Sequence, residues 1–183
     1  MLFVIFLLHL LSMERIVAIL EKINRPGVDQ VIEYMRKSNY AVARCNSHHT
    51  YKGGLVDHSL EVYNLMMERR GNISEESIAI CAFLHDLGKT HLAGYNFRGH
   101  HPKRAMLILE KCGLCLNDDE KLAISQHHSI NLTYFTHPLR HCLSSSDMSS
   151  TGKWKEENAL PNKSQAKRFR DGVLYQFSKC KLG

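Results

Sequence analysis

The sequence predicts an all-α protein. Apolar residues recur at helical spacing through most of the chain, and capping residues, prolines and glycines mark where successive helices begin and end. No alternating apolar and polar pattern of useful strand length occurs. The 183 residues suit one domain, and 44% hydrophobic with 23% charged residues exclude a disordered or fibrous chain.

Two helices are predicted before residue 38. Apolar residues between Met13 and Ile23 fall on one face of the first helix, and the sequence NRPG ends it. Residues 28–37 form the second helix, and a loop that ends in Gly53 and Gly54 follows it.

Five more helices are predicted between residues 55 and 150. Ser74 caps one helix that closes at Gly88, and Pro102 opens another that closes at Gly113. Asp147 lies near the end of the last helix. The predicted segments are residues 55–69, 73–89, 101–113, 117–128 and 137–150.

The first 12 residues are mostly apolar, yet their run of about 11 apolar residues is shorter than the roughly 20 that span a bilayer. They lack the basic start and the small-residue cleavage site of a secretory signal. Because an amphipathic helix begins at Met13, we expect the natural chain to start there. Residues 1–12 are then an upstream extension, and no membrane partner is expected.

Positive charge is concentrated near the C-terminus. The formal charge is +6 and the pI about 9.0, and residues 151–183 hold eight Lys or Arg against three Asp or Glu. We predict a basic C-terminal segment, 151–183, and anionic ligands such as nucleotides, RNA or DNA. The six cysteines, with Cys112 and Cys115 as packing residues, lack the density of a disulfide scaffold, so a cytoplasmic location is expected.

Polar side chains lie at the ends of several predicted helices. His85 and Asp86 close an apolar run, where burying two polar side chains costs several kcal/mol unless a partner satisfies them. They are either a hydrogen-bonded core pair or metal ligands. Imidazole with carboxylate binds Mn, Fe, Zn, Ni or Co. Neighbours on a helix point about 100° apart, so an aspartate here can bridge two ions.

Five separated segments carry such residues, which are His58, His85 with Asp86, His101, His127 with His128, and Asp147. The ordered pattern H…HD…D, in His58, His85 with Asp86, and Asp147, resembles that of the HD-domain metal-dependent phosphohydrolases. The segments HHTYKGGLVDHSLEV and HDLGKT are similar to those of bacterial HD-domain 3′-to-5′ exoribonucleases and of related relaxase-associated and phage-type HD proteins. The resemblance covers roughly residues 45–150.

The resemblance implies an all-α HD-domain helical bundle, which we place at residues 13–150. It also implies a second metal subsite that uses His127 with His128 and His101, which fits better than His100. One or two divalent ions of Mn, Fe, Ni, Zn or Co are the expected cofactors.

The resemblance further implies a metal-dependent phosphohydrolase that cleaves a phosphoester of a nucleotide, dinucleotide or short oligonucleotide by a metal-activated water. The alternatives are a 3′-to-5′ exonuclease that holds single strands with the basic C-terminal segment, and a non-catalytic module that binds metal and nucleotide. The segment before the HD-like region is short and has a helical pattern, so we expect no OB-fold there, unlike in the exoribonucleases, and this argues against processive RNA degradation.

For several further side chains near the expected site, a functional and a structural interpretation are both open. Asp86 is expected to be catalytic through the ions it shares. Lys89 either contacts the substrate phosphate or is only a lysine at a helix C-terminus, where the helix dipole favours a positive charge. His49, next to His48, either protonates the leaving oxygen or contacts phosphate, or has a structural loop role. Arg104 contacts phosphate or is a solvated charge, and Tyr51 stacks on a base or only packs.

Overall fold

The computed structural model describes residues 2–129 and 131–157. Within these residues the chain forms α-helices and two short 3-10 helices, with no β-strand, so the predicted all-α class is confirmed. The α-helices are α1 (Leu2–Leu20), α2 (Val28–Lys37), α3 (Gly54–Arg69), α4 (Glu75–Leu84), α5 (His101–Lys111), α6 (Asp118–Gln126), α7 (Leu132–Thr136) and α8 (Pro138–Glu157), and the 3-10 helices are Tyr40–Val42 and Leu87–Lys89.

The first helix differs from its prediction at both ends. α1 begins at Leu2 and ends at Leu20, whereas the second helix has the predicted bounds. Among the side chains described in α1, Leu11 is 56% exposed and burial in the core begins at Met13. A natural start at Met13 stays a prediction. None of the helices in the described ranges has the length and apolarity needed to cross a bilayer.

α4 lies at the centre of the bundle. All its residues from Ser77 to Leu84 are buried, as expected of a helix that other helices surround. α3 packs against α4, α8 and α1, while α6 packs against α4, α5 and α8. The described cysteines are free thiols that do not form disulfides, and all but Cys115 are buried.

The prediction that Gly88 closes α4 is wrong. α4 ends at Leu84, with His85 as its C-cap, and Gly88 lies in the short 3-10 helix that follows. Its lack of a side chain serves packing instead, because a Cβ on Gly88 would lie 2.0 Å from the carbonyl oxygen of His101. Gly88 thereby allows the start of α5 to approach the residues that follow α4.

The other predicted helix signals act as expected. Gly113 has φ 72° and ends α5, where its amide and that of Leu114 donate to the carbonyls of Glu110 and Leu109. At α6, Asn117 and Glu120 form a reciprocal capping box.

The last helix continues past its predicted end. α8 runs to Glu157, so Asp147 lies near its middle and not near its end. The serine-rich sequence continues as helix because Leu143, Ser146 and Ser150 are buried against the bundle. The domain boundary at residue 150 stays a prediction, and residues 158–183 lie outside the described part of the chain.

We expect Gly88→Ala to lower the free energy of unfolding by about 1–3 kcal/mol, because the added methyl group meets backbone atoms of α5 that cannot move alone. Gly152→Ala is the matched control, because a Cβ there meets no atom within 4 Å and alanine favours the helix. Urea unfolding followed by circular dichroism measures both. Equal unfolding midpoints for the two variants would contradict this account of Gly88.

Candidate metal centre

The structure gathers the other six predicted metal ligands around Asp86, which is 1% exposed. Asp86 Oδ2 lies 3.6 Å from His58 Nε2 and 3.5 Å from His85 Nε2. Asp86 Oδ1 lies 3.2 Å from His101 Nε2 and 3.9 Å from His127 Nε2. The two oxygens of one carboxylate therefore face two different pairs of imidazoles.

The seven predicted ligands fall into two sets, and within each set the ligand atoms lie within 4.8 Å of one another; His58 also forms a third such group with His48 and His49. The first set is His58, His85 and Asp147, and the second set is Asp86, His101, His127 and His128. Asp147 also faces both sets, because its Oδ1 is 3.2 Å from His58 Nε2 and its Oδ2 is 3.7 Å from His128 Nδ1.

Five elements supply these residues. α3 contributes His58 from its first half, the ends of α4 and α6 contribute the His85–Asp86 and His127–His128 pairs, the start of α5 contributes His101, and the middle of α8 contributes Asp147. His100, by contrast, is an exposed N-cap residue.

Local hydrogen bonds fix which nitrogen of each buried histidine carries the proton. His85 Nδ1 lies 3.0 Å from the Ala82 carbonyl oxygen, and His127 Nδ1 lies 2.7 Å from that of Ile124. A carbonyl only accepts, so both Nδ1 atoms donate. The Nε2 atoms of these two rings therefore present lone pairs toward Asp86.

His58 reaches the same state through a longer chain of contacts. Ser150 Oγ donates to Glu61 Oε2 at 2.7 Å and accepts from His58 Nδ1 at 3.0 Å. In the neutral ring, His58 Nε2 is then the nitrogen that carries the lone pair. Hydrogen bonds of this kind commonly orient the imidazoles that bind metal ions.

Several buried polar atoms at the centre have no hydrogen-bond partner among the described residues. They are the Nε2 atoms of His58, His85 and His127 and Oδ1 of Asp86. Leaving such a group unsatisfied costs about 1–3 kcal/mol, which native folds seldom accept without a reason. Three imidazole lone pairs that converge on a carboxylate fit a divalent transition metal ion.

The protonation states also suit a cation. Burial lowers the pKa of His85 and His127, and it lowers that of His101 to about 4, so these rings are neutral near pH 7. Burial would raise the pKa of Asp86, but the charge of Lys89 holds it well below its ordinary value. Neutral imidazoles around an ionised carboxylate are ready ligands.

Lys89 is the cation nearest to Asp86. Its ammonium forms an ion pair with Asp86 Oδ2, and its side chain is 10% exposed. Burial lowers the pKa of Lys89, but the Asp86 carboxylate outweighs burial and raises it. Lys89, which was predicted to contact the substrate phosphate, is therefore charged and lies at the edge of the first set.

His48 and His49 are buried beside His58, with ring centroids 4.5 Å and 5.3 Å from its ring. Their Nδ1 atoms are 3.1 Å apart, and His49 Nε2 is 3.4 Å from Glu61 Oε2. The loop approaches α3 because Gly54 has no side chain, since a Cβ there would lie 2.0 Å from the His49 carbonyl oxygen.

Tyr51 and Arg104 occupy different surroundings. Tyr51 is 42% exposed, donates to Asp57 Oδ2 at 2.7 Å, and lies 6.2 Å from the His49 ring. Arg104 donates to the Thr90 carbonyl at 3.2 Å. Within the described residues, no hydrogen bond or ion pair joins its side chain to a candidate ligand, and its phosphate contact stays a prediction.

Two residues of the centre, Glu61 and Ser150, were not predicted from the sequence. Glu61 lies three positions after His58 on one face of α3, which is a detectable signal. Ser150 lies 92 positions from His58, so only the fold brings them together. Burial would raise the pKa of Glu61, but hydrogen bonds involving His49, Ser150 and Lys153 lower it to about 2.

We expect Asp86→Asn to weaken divalent metal binding by more than about 100-fold, because it removes the charge that both ligand sets share. Equilibrium dialysis against Mn²⁺, followed by plasma mass spectrometry, measures the ions per chain. Asp118→Asn is the control, because the side chain of Asp118 is fully exposed and pairs only with Lys121 in the described residues. Equal metal content in both variants would rule out the proposed centre.

Comparison with known proteins identifies the family. The family model of the HD domain matches residues 55–167, which is more than half of the chain and includes all seven candidate ligands. Searches of curated proteins and of solved structures found no match. Members of the matched family are mostly metal-dependent phosphohydrolases, and the histidine and aspartate clusters here can hold a metal ion. The chain therefore belongs to the HD-domain family.

Proposed function

We propose that this protein is a metal-dependent phosphohydrolase that cleaves a phosphoester of a nucleotide, dinucleotide or short oligonucleotide. The observation that carries the proposal is the buried Asp86 carboxylate, whose two oxygens face two different pairs of imidazole rings. A carboxylate in that position suits two neighbouring divalent ions. His58, His85 and Asp147 would complete the first site, and His101, His127 and His128 the second.

Bound divalent ions would lower the pKa of a water molecule from 15.7 to about 7 and offset negative charge on the phosphoryl oxygens. The contribution of Asp86 is to hold a charge of the right sign between both ligand sets. Asp147 would contribute one oxygen to each ligand set, because one of its oxygens faces His58 and the other faces His128.

Lys89 would bind the substrate phosphate. Its ammonium pairs with Asp86 Oδ2. A metal ion held by Asp86 would share the charge of that carboxylate, so the Lys89 ammonium would also be available to a phosphate oxygen. Because Lys89 is only slightly exposed, such a contact would form at the edge of the centre and not in bulk solvent.

His49 would donate a proton to the leaving oxygen. Glu61 is ionised near pH 7 because its pKa is about 2, and its carboxylate orients His49 through Nε2. A proton on His49 Nδ1 would be the one transferred. Burial lowers the pKa of His48 to about 3, so His48 is neutral, and its Nδ1 lies 3.1 Å from that of His49. The pair lies beside His58 of the first ligand set.

Aromatic side chains next to His49 support a nucleotide substrate over a simple phosphate. The half-exposed Tyr51 and the part-buried Trp154 have ring centroids 6.2 Å and 5.7 Å from that of His49. Aromatic rings at the margin of a phosphate site can stack on a base, which is worth about 1–3 kcal/mol. The formal charge of +6 also favours an anionic substrate.

We expect the Mn²⁺-loaded protein to hydrolyse at least one member of a panel that holds nucleoside monophosphates, a dinucleotide and 5′-labelled single-stranded oligonucleotides. Asp86→Asn is expected to abolish that hydrolysis while the helical circular dichroism is retained, and Asp118→Asn to leave it unchanged. Stepwise shortening from the 3′ end would favour the exonuclease alternative, and nucleotide binding without turnover would favour the non-catalytic module. Full activity in Asp86→Asn would refute the proposed mechanism.

The role of His49 is tested by changing the leaving group. Because a general acid matters most when a basic alkoxide departs, we expect His49→Gln to lower kcat about 100-fold or more for a nucleotide ester. The loss should be much smaller for the matching p-nitrophenyl ester, whose phenolate departs without a proton. Equal losses for both esters would assign His49 a structural role only.

A further inference from the structure

Arg140 has the largest side chain that is fully buried among the described residues. It lies in the first turn of α8, and its guanidinium points at the loop between α6 and α7. Burying an arginine without compensation costs several kcal/mol, so its partners indicate what the residue does.

Those partners lie on both sides of the His127–His128 pair. Arg140 Nη2 donates to the Gln126 carbonyl at 3.2 Å and also to the Ser129 carbonyl. Arg140 Nη1 donates to Asn131 Oδ1 at 2.7 Å. The chain therefore leaves α6, presents two histidines to the candidate centre, and is bound by the same guanidinium before and after them.

The position at the end of α6 explains why an arginine fits. The last carbonyls of a helix have no partners within the helix, and they form the negative end of its dipole. The planar guanidinium offers several donors in a fixed arrangement, so one side chain can bind several carbonyls at once. Lysine has a single ammonium group and lacks this geometry.

The same side chain relates α6 to α8. Asp147 follows Arg140 by seven residues, or about two helical turns, and so lies on the same side of α8. Asp147 Oδ2 faces His128 at 3.7 Å, and His128 Nε2 lies 2.8 Å from His101 Nε2. The contacts of Arg140 thus determine where two of the four ligands in the second set stand relative to α8.

We propose that Arg140 is a positioning residue for the second metal ion: it fixes His127 and His128 by binding the backbone on both sides of them. This inference rests on the proposed function, because it assumes that the second ligand set binds an ion. It assigns to Arg140 no contact with the substrate. Loss of such a supporting group typically weakens metal binding by about 10–100-fold.

The chain offers a matched control at the other end of the same helix. Arg25 binds Glu120 in the first turn of α6 and also Glu76 at the start of α4. It is 18% exposed at the side chain, and Glu120 is fully buried. Arg25→Lys and Arg140→Lys therefore make the same chemical change at opposite ends of α6, and only the second change lies next to the candidate ligands.

The test is a Co²⁺ titration of the full chain by equilibrium dialysis, with ions per chain counted by plasma mass spectrometry and the coordination followed by visible absorption. We expect two ions in the wild type, an unchanged first ion in Arg140→Lys, and a second ion bound about 10–100-fold more weakly. Arg25→Lys should bind both ions as tightly as the wild type does, even if its thermal unfolding midpoint falls as much as that of Arg140→Lys. Arg140→Met, measured in parallel, should bind the second ion still more weakly than Arg140→Lys does.

Three results would overturn the inference: a second ion bound as tightly in Arg140→Lys as in the wild type, equal weakening in Arg25→Lys, or a wild type that binds a single ion. Because Arg140→Lys keeps the charge and much of the volume, it tests the inference even where Arg140→Met does not fold. A wild type that binds two Co²⁺ ions but hydrolyses no phosphoester would contradict the proposed function alone, and the comparison of the two lysine variants would still decide the role of Arg140.

Discussion

The burial of the Asp86 carboxylate is the constraint on which the rest of the structure depends. Its charge is removed from water, and among the described residues Lys89 is its one ion-pair partner from a lysine or arginine. Several imidazole nitrogens beside it lack a hydrogen-bond partner within the described residues, so the burial of this charge is locally unfavourable. The apolar packing around α4 must offset this cost. A ligand that binds only the folded chain would relieve it and stabilise the fold.

Two helix ends orient a histidine ligand in the same way. At the ends of both α4 and α6, a histidine donates Nδ1–H to the carbonyl three residues before it. Such carbonyls lack helical partners, so each hydrogen bond satisfies the backbone and also fixes the ring. The same local geometry therefore occurs twice, at His85 and His127, and each time it leaves Nε2 directed at Asp86. The two ligand sets resemble each other for this physical reason.

The sequence predicted what local chemistry determines. Local signals predicted both bounds of α2, the start of α5 and the start of α6, whereas α6 ends at Gln126, two residues before its predicted end. Histidines and aspartates near helix ends, together with the resemblance to HD-domain phosphohydrolases, predicted the residues that surround Asp86. The sequence did not predict the packing role of Gly88, because that role depends on a helix that starts 13 residues later. Ser150 and Arg140 were missed for the same reason, since their partners are distant in sequence or lie on the backbone.

α8 is the element that joins the two ligand sets. Arg140 binds the backbone beside the second set, Asp147 faces both sets, and Ser150 orients His58 in the first set. The intervals of seven and three residues between them keep all three on one side of the helix. A small rotation of α8 would therefore move all three contacts together, whereas a shift in one loop that carries a ligand would move only the contacts of that ligand. The geometry of the two sets is in this way a single property of how α8 packs on α3 and α6.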